Sequence, residues 1–159
     1  MVKVNGAGSG RLSMVGLIAT RPGSRTRLCY RVKRHRVRKN ERRSLSEADY
    51  IALLDAVHQQ LRGPIVLVWD RLNTHRSAAM RRMITARPWL TVFLLPAYAP
   101  DLNPVEAVWS HVKRSLANLS AGSLARLEAL VRNRLKSLQY KPGILDGFIA
   151  ETGLTLQPP

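Results

Sequence analysis

The sequence predicts an α/β fold, a mixed sheet with flanking helices, and three observations carry that prediction. Two strand-like runs, Arg11–Thr20 (RLSMVGLIAT) and Arg25–Val32 (RTRLCYRV), flank the turn residues Arg21-Pro-Gly-Ser24, the pattern of a hairpin. Two further runs, Ile65–Trp69 (IVLVW) and Leu90–Leu95 (LTVFLL), are almost wholly apolar, as buried interior strands are. Between and after them, apolar residues recur at helical spacing. The resulting order of strand, strand, helix, strand, helix, strand, helix, helix describes a sheet with helices packed on it.

Taken in order, Met1–Gly10 is small and Gly-rich, and the hairpin follows. Lys33–Arg43 (KRHRVRKNERR) is a nearly continuous cationic run and reads as a solvated loop. By itself it suits solubility as well as phosphate tracking; the charge of the whole chain favours the second, through Arg36, Arg38 and Lys39. Ser46 with Asp49 three positions on resembles a capping box. Tyr50, Leu53, Leu54, Val57 and Leu61 keep helical spacing, so a helix is expected over 46–61. Gly63-Pro64 ends it, and the Ile65–Trp69 strand places Asp70 at its carboxyl edge.

A basic helix over about 75–86 leads to the Leu90–Leu95 strand, closed by Pro96. Ala97–Asn103 (AYAPDLN) is a proline-punctuated loop, with Asn103 and Pro104 suited to open a helix that reaches about Leu116 and carries Glu106 in its first turn. A second helix is expected over 123–138, and residues 140–159, with Pro142, Gly143 and Pro158-Pro159, read as an irregular tail. No repeat or low-complexity tract is present.

A chain of 159 residues with 45% apolar composition fits one compact domain. Twenty-six Lys and Arg against ten Asp and Glu give a net charge of +16, which calls for a polyanionic partner, nucleic acid by default. No stretch has the length of a membrane span and no secretion signal opens the chain, so a cytoplasmic protein is expected. The one cysteine, Cys29, cannot form an internal disulfide, and no Cys/His cluster has zinc spacing. It reads as a small buried residue on a strand.

Asp70 follows five apolar residues, where a carboxylate needs a donor, a cation or a metal ion to offset its desolvation. An Asp capping a turn at a strand end is the competing explanation. Glu106 alone is weaker still, because acids suit the first turn of any helix.

Together, IVLVWDRLNTHRS and FLLPAYAPDLNPVEAVWSHVKRSLAN resemble the second and third acidic motifs of the DDE superfamily transposases, in the bacterial insertion-sequence branch related to mariner elements. The match runs through Asp70, His75, Pro96, Tyr98, Pro100, Asp101, Leu102, Asn103, Pro104, Glu106 and Trp109. The resemblance implies an RNase H-like, retroviral-integrase-like fold whose acidic triad holds two Mg2+ (or Mn2+) ions, with Asp70 and Glu106 as catalytic metal ligands. It also implies cleavage and joining of DNA strands. The partners would be transposon ends and target DNA, bound by a homo-oligomer at the bacterial nucleoid.

The residue types suit that chemistry. Two ions about 3.5 to 4 Å apart stabilise the attacking and leaving oxygens of an in-line displacement, and hard magnesium prefers carboxylate oxygen. His75 suits contact with DNA or a hydrogen bond within its loop. Asn73 suits orientation of Asp70 or an Asx turn. Lys113 and Arg114 suit phosphate contact or a solvated helix face. Trp69 and Trp109, with apolar neighbours, read as core, and Asp101 as part of a turn.

Two features depart from the resemblance. No Asp or Glu precedes Glu41, so the triad's first Asp, and the first strand that bears it, are expected to be missing. The chain then reads as an N-terminally truncated catalytic domain, inactive alone unless an upstream chain supplies that strand. Arg71 stands directly after Asp70, where a guanidinium could pair with the acid and compete with metal. The alternative function is a non-enzymatic, basic DNA-binding remnant of a transposase.

Overall fold

The computed structural model describes residues 2–5, 10–36, 44–71, 77–117 and 122–154, with side chains from Gly10 onward except Arg36. Where the composition suggested one core, the described residues gather into two compact units: Met1–Leu45 with Pro104–Pro159, and Ser46–Asn103. Among the described residues the strands form an antiparallel sheet in the first unit and a parallel pair in the second.

The first unit is built on β1 (Val2–Asn5), β2 (Gly10–Ala19) and β3 (Arg27–Arg36), antiparallel in that order. The expected hairpin forms, with Met14 opposite Val32 and Ile18 opposite Leu28. Two features differ from the reading above. Val2–Asn5, inside the segment read only as Gly-rich, pairs with Arg11–Met14. It carries no acid.

The cationic run is also not wholly loop, for Lys33–Arg36 continues β3 opposite Gly10–Ser13. Pairing along the whole of β2 outweighs the local preference of charged residues for coil, as sheet context commonly does. Residues 37–43, with Arg38 and Lys39, lie outside the described residues, as does the side chain of Arg36.

Three helices complete this unit: α3 (Pro104–Leu116), α4 (Leu124–Gln139) and α5 (Pro142–Glu151). Their apolar stripes meet one face of the hairpin in a core that includes Leu12, Met14, Leu28, Val32, Val108, Trp109, Val112, Val131, Leu135, Leu145 and Phe148. Helix α5 corrects the expectation of an irregular tail from 140 onward. Pro142 is its opening residue, where a missing N–H costs nothing, and Leu145, Phe148 and Ile149 are buried at helical spacing.

Helix α4 also lies along the outer edge of β3. Gln139 Nε2 donates to the Leu28 carbonyl at 2.8 Å and Arg132 to the Val32 carbonyl at 3.1 Å. Glu128 accepts from Arg34 at 2.6 Å and from Arg132 at 2.9 Å. Those bonds hold the Glu128 carboxyl below its ordinary range even though burial pushes the other way.

The second unit contains α1 (Glu47–Leu61), β4 (Ile65–Trp69), α2 (Ala78–Thr85), β5 (Leu90–Leu94) and a 3-10 turn at Pro100–Leu102. The capping box is present: Asp49 accepts from the amide and the hydroxyl of Ser46 at 2.9 and 2.8 Å. Leu53, Leu54 and Val57 of α1 and Met80 and Met83 of α2 are buried. Arg87 donates two 2.7 Å bonds to Asp55, and His58 stacks on Trp89 with ring centroids 3.8 Å apart.

Strands β4 and β5 are parallel and in register from Ile65–Leu90 to Trp69–Leu94. Their apolar sequences suggested interior strands covered on both faces. Only alternate positions of β4 are buried, Leu67 and Trp69, while Val66 and Val68 are 66% and 51% exposed. A five-residue apolar run does not say how many of its faces will be covered.

Candidate active site

Asp70 directly follows Trp69, the last residue of β4. The polypeptide on both sides of it is tied to one residue of the neighbouring strand's exit. The Leu95 amide donates to the Trp69 carbonyl at 2.8 Å, and Arg71 Nε donates to the Leu95 carbonyl at 2.9 Å. Arg71 therefore acts as a strap between the two strand ends. Asp70 is half-buried at the carboxyl end of a parallel pair, the end at which open α/β sheets place their sites.

The negative charge at this position is felt by Tyr50, in the first turn of α1. Burial, and then the charge of Asp70 with smaller contributions from Asp49 and Glu47, pushes the phenol up to about 12. The sequence reading used Tyr50 only as an apolar position of the helix. The available signal was the residue type, since a tyrosine near a helix start carries a polar tip that must be placed somewhere.

Glu106 sits in the first turn of α3, which begins at Pro104 directly after Asn103 as expected. The same helix buries Val108, Trp109, Val112 and Leu116. A Cβ on Gly16 would come within 2.9 Å of the Trp109 ring, so the indole rests on strand backbone that only glycine leaves open. Trp109 is thus core, and so is Trp69.

Seven and eight residues after Glu106 are two turns, which brings Lys113 and Arg114 to the same side of α3, roughly 10 to 12 Å further along its axis. Both are exposed, whereas Glu106 is half-buried. Asp101 lies exposed in the 3-10 turn, and His75 and Asn73 fall outside the described residues.

Asp70 and Glu106 belong to different units. Among the described residues, no group of three or more His, Cys, Asp or Glu side chains is placed to hold a metal ion. Other acids have structural duties: Asp49 caps α1, Asp55 and Glu128 pair with arginines, and Asp146 accepts from Thr26. The donors left at the two candidate positions are carboxylates, which fit a hard divalent cation such as magnesium. No helix among the described residues is long and apolar enough to cross a membrane.

No curated protein sequence matches the chain. Among solved structures, the catalytic domain of Mos1 mariner transposase is similar at 14% identity and a TM-score of 0.50, with 92% of this chain and 83% of that one covered. The transposase of the Mos1 strand transfer complex is similar at 13% identity and a TM-score of 0.52, covering 92% of this chain and 55% of that one. These likenesses show the fold, which is RNase H-like. The profile of the DDE superfamily endonucleases matches residues 15–128, and the chain belongs to that family.

Proposed function

We propose that this chain provides catalytic-domain chemistry for DNA transposition, cleaving and joining DNA strands with Asp70 and Glu106 as metal ligands and magnesium or manganese as the metal. The observation that carries the reading is the position of Asp70, a half-buried acid at the carboxyl end of β4 whose charge reaches Tyr50. Membership of an endonuclease family supplies the reaction class. When bound, the divalent ions would activate the attacking oxygen and stabilise the leaving one.

The remaining roles belong to this chain's own side chains. Arg71 fixes the backbone that presents Asp70, and Trp109 seated on Gly16 fixes the helix that presents Glu106. Lys113 and Arg114, two turns beyond Glu106 on its side of α3, neutralise neighbouring phosphates and hold the strand in place. The partners are transposon-end and target DNA, engaged by an oligomer of the protein.

Two carboxylates are fewer than the family's site requires. With Mg2+ or Mn2+, the 159-residue chain should therefore leave supercoiled plasmid intact. Supplying a segment of a close relative that carries the triad's first Asp should restore nicking. Asp70→Ala or Glu106→Ala should then reduce that nicking by about a thousandfold or more. Nicking by the unmodified chain that survives both substitutions would overturn the assignment.

A non-enzymatic remnant is the second reading, favoured by the net charge of +16 and the dispersal of the described acids. It requires DNA affinity that falls steeply with salt and is indifferent to divalent ions beyond their ionic strength.

A further inference from the structure

Tyr98 combines two unfavourable features that nothing among the described residues repays. Its side chain is fully exposed, and its backbone is left-handed with φ of 59°. That conformation costs a residue with a Cβ about 1 to 2 kcal/mol and is rare for bulky side chains. An observed outlier of this kind points toward function.

The loop that carries it is well anchored. Leu95, at its foot, is bonded to Trp69 and Arg71 on both sides of Asp70. Its far end is closed by the 3-10 turn, where Leu102 donates to Ala99 and Asn103 to Pro100. Pro96 and Pro100 restrict the backbone between those anchors. Tyr98 lies three residues beyond Leu95, at most roughly 10 to 11 Å by chain length. Its ring thus projects from the strand-end region that carries Asp70, on a loop that loses little freedom when a ligand arrives.

We propose that Tyr98 is a nucleobase platform: its ring stacks on an unpaired base adjoining the phosphodiester handled at Asp70, so that the protein favours DNA with an unpaired base over fully paired duplex. This rests on the DNA-processing reading above. A flat, rigid aromatic surface in water suits the face of a base, and stacking on such a surface needs no particular base sequence. A base inside an intact duplex has both faces covered by its neighbours, so the ring selects frayed, nicked or flipped positions.

The test uses the full chain and two fluorescent DNAs, a duplex with 2-aminopurine as a single unpaired base and the same duplex fully paired. The unmodified chain should bind the first more tightly and quench its 2-aminopurine. Tyr98→Phe and Tyr98→Trp should keep both properties. Tyr98→Asn adopts the left-handed backbone readily but lacks the ring, and Tyr98→Leu keeps apolar bulk without a planar face. Both should lose the quench and bind the unpaired-base DNA about 5- to 150-fold more weakly, as removal of one stacking contact does.

Affinity for the paired duplex should change by less than about twofold, and thermal melting should not fall. Quenching that persists in Tyr98→Asn, equal losses on both DNAs, or a changed oligomeric state with DNA binding intact would overturn the proposal. The last of these would assign the ring to a protein contact. If the unmodified chain bound neither DNA, the DNA-processing reading itself would fall; binding of both with no quench would remove the Tyr98 proposal alone.

Discussion

In the unit that carries Glu106, the acid's helix is backed by a buried tryptophan seated on a glycine of β2, and three helices close over one face of the hairpin. In the unit that carries Asp70, the acid ends a two-stranded ladder on which Val66, Val68 and Phe93 are more than half exposed. Glu106 is therefore held by packing. Asp70 is held chiefly by backbone bonds and polar straps, through Leu95 and Arg71 locally and the Arg87–Asp55 pair further away. One candidate position thus depends on volume and the other on hydrogen-bond geometry, and their sensitivities to substitution should differ accordingly.

The largest effect is expected where packing does the holding. Trp109→Ala should destabilise the chain by about 3 to 5 kcal/mol, because a fully buried large ring leaves a cavity under α3. Urea denaturation followed by near-ultraviolet circular dichroism would show it. Val68→Ala, on the exposed side of β4, should change stability by less than about 0.5 kcal/mol. Equal costs at these two sites would erase the contrast.

The next effect is electrostatic and reports on Asp70 directly. Tyr50 ionises at about 12 in the folded chain against an ordinary value of 10. The stability it contributes is complete below pH 10 and is lost as pH rises from 10 towards 12, by roughly 3 kcal/mol in all. Absorbance titration near 295 nm should resolve this late phenol among the four tyrosines. Asp70→Asn should move its midpoint downward, because the largest charge that opposes ionisation is gone; an unmoved midpoint would show that Asp70 has no part in setting it.

Smaller effects test the polar straps. Ser46→Ala removes the hydroxyl that donates to Asp49 and should cost about 1 kcal/mol in thermal or urea unfolding. Arg87→Ala breaks the pair with Asp55, whose carboxyl that guanidinium holds below its ordinary range. Because both partners are partly exposed, the expected cost is under about 1 kcal/mol. A loss of several kcal/mol at Arg87 would mean that this pair, more than the apolar residues, organises the Asp70 unit.

The parts of the fold legible in the sequence were those fixed by local chemistry. Ser46 and Asp49 announce a helix start three residues apart, Ser123 and Pro104 mark two more, and Pro-Gly at 22–23 marks the hairpin turn. Lys33–Arg36 misled because its strand state depends on partners 20 to 26 residues away in the sequence. Pro142-Gly143 looked like punctuation, and the apolar spacing of Leu145, Phe148 and Ile149 that makes α5 passed unread. At the site, Asp70 could be placed from the apolar run before it, whereas Glu106 stood out only through the resemblance. The charge on Tyr50 and the left-handed backbone of Tyr98 arise from tertiary structure and have no local signature.

The bonds from Gln139 and Arg132 to the outward carbonyls of β3 have a consequence for self-association. A hairpin edge with free carbonyls invites another strand to add to it, and a run such as Arg27–Arg36 repeated in many copies is a route to fibres. Here the edge is already occupied at Leu28 and Val32 by α4 side chains, and the cations beside it repel a second copy. Loosening α4 would release both carbonyls together, so solubility in this protein should track the docking of that helix more closely than it tracks overall charge.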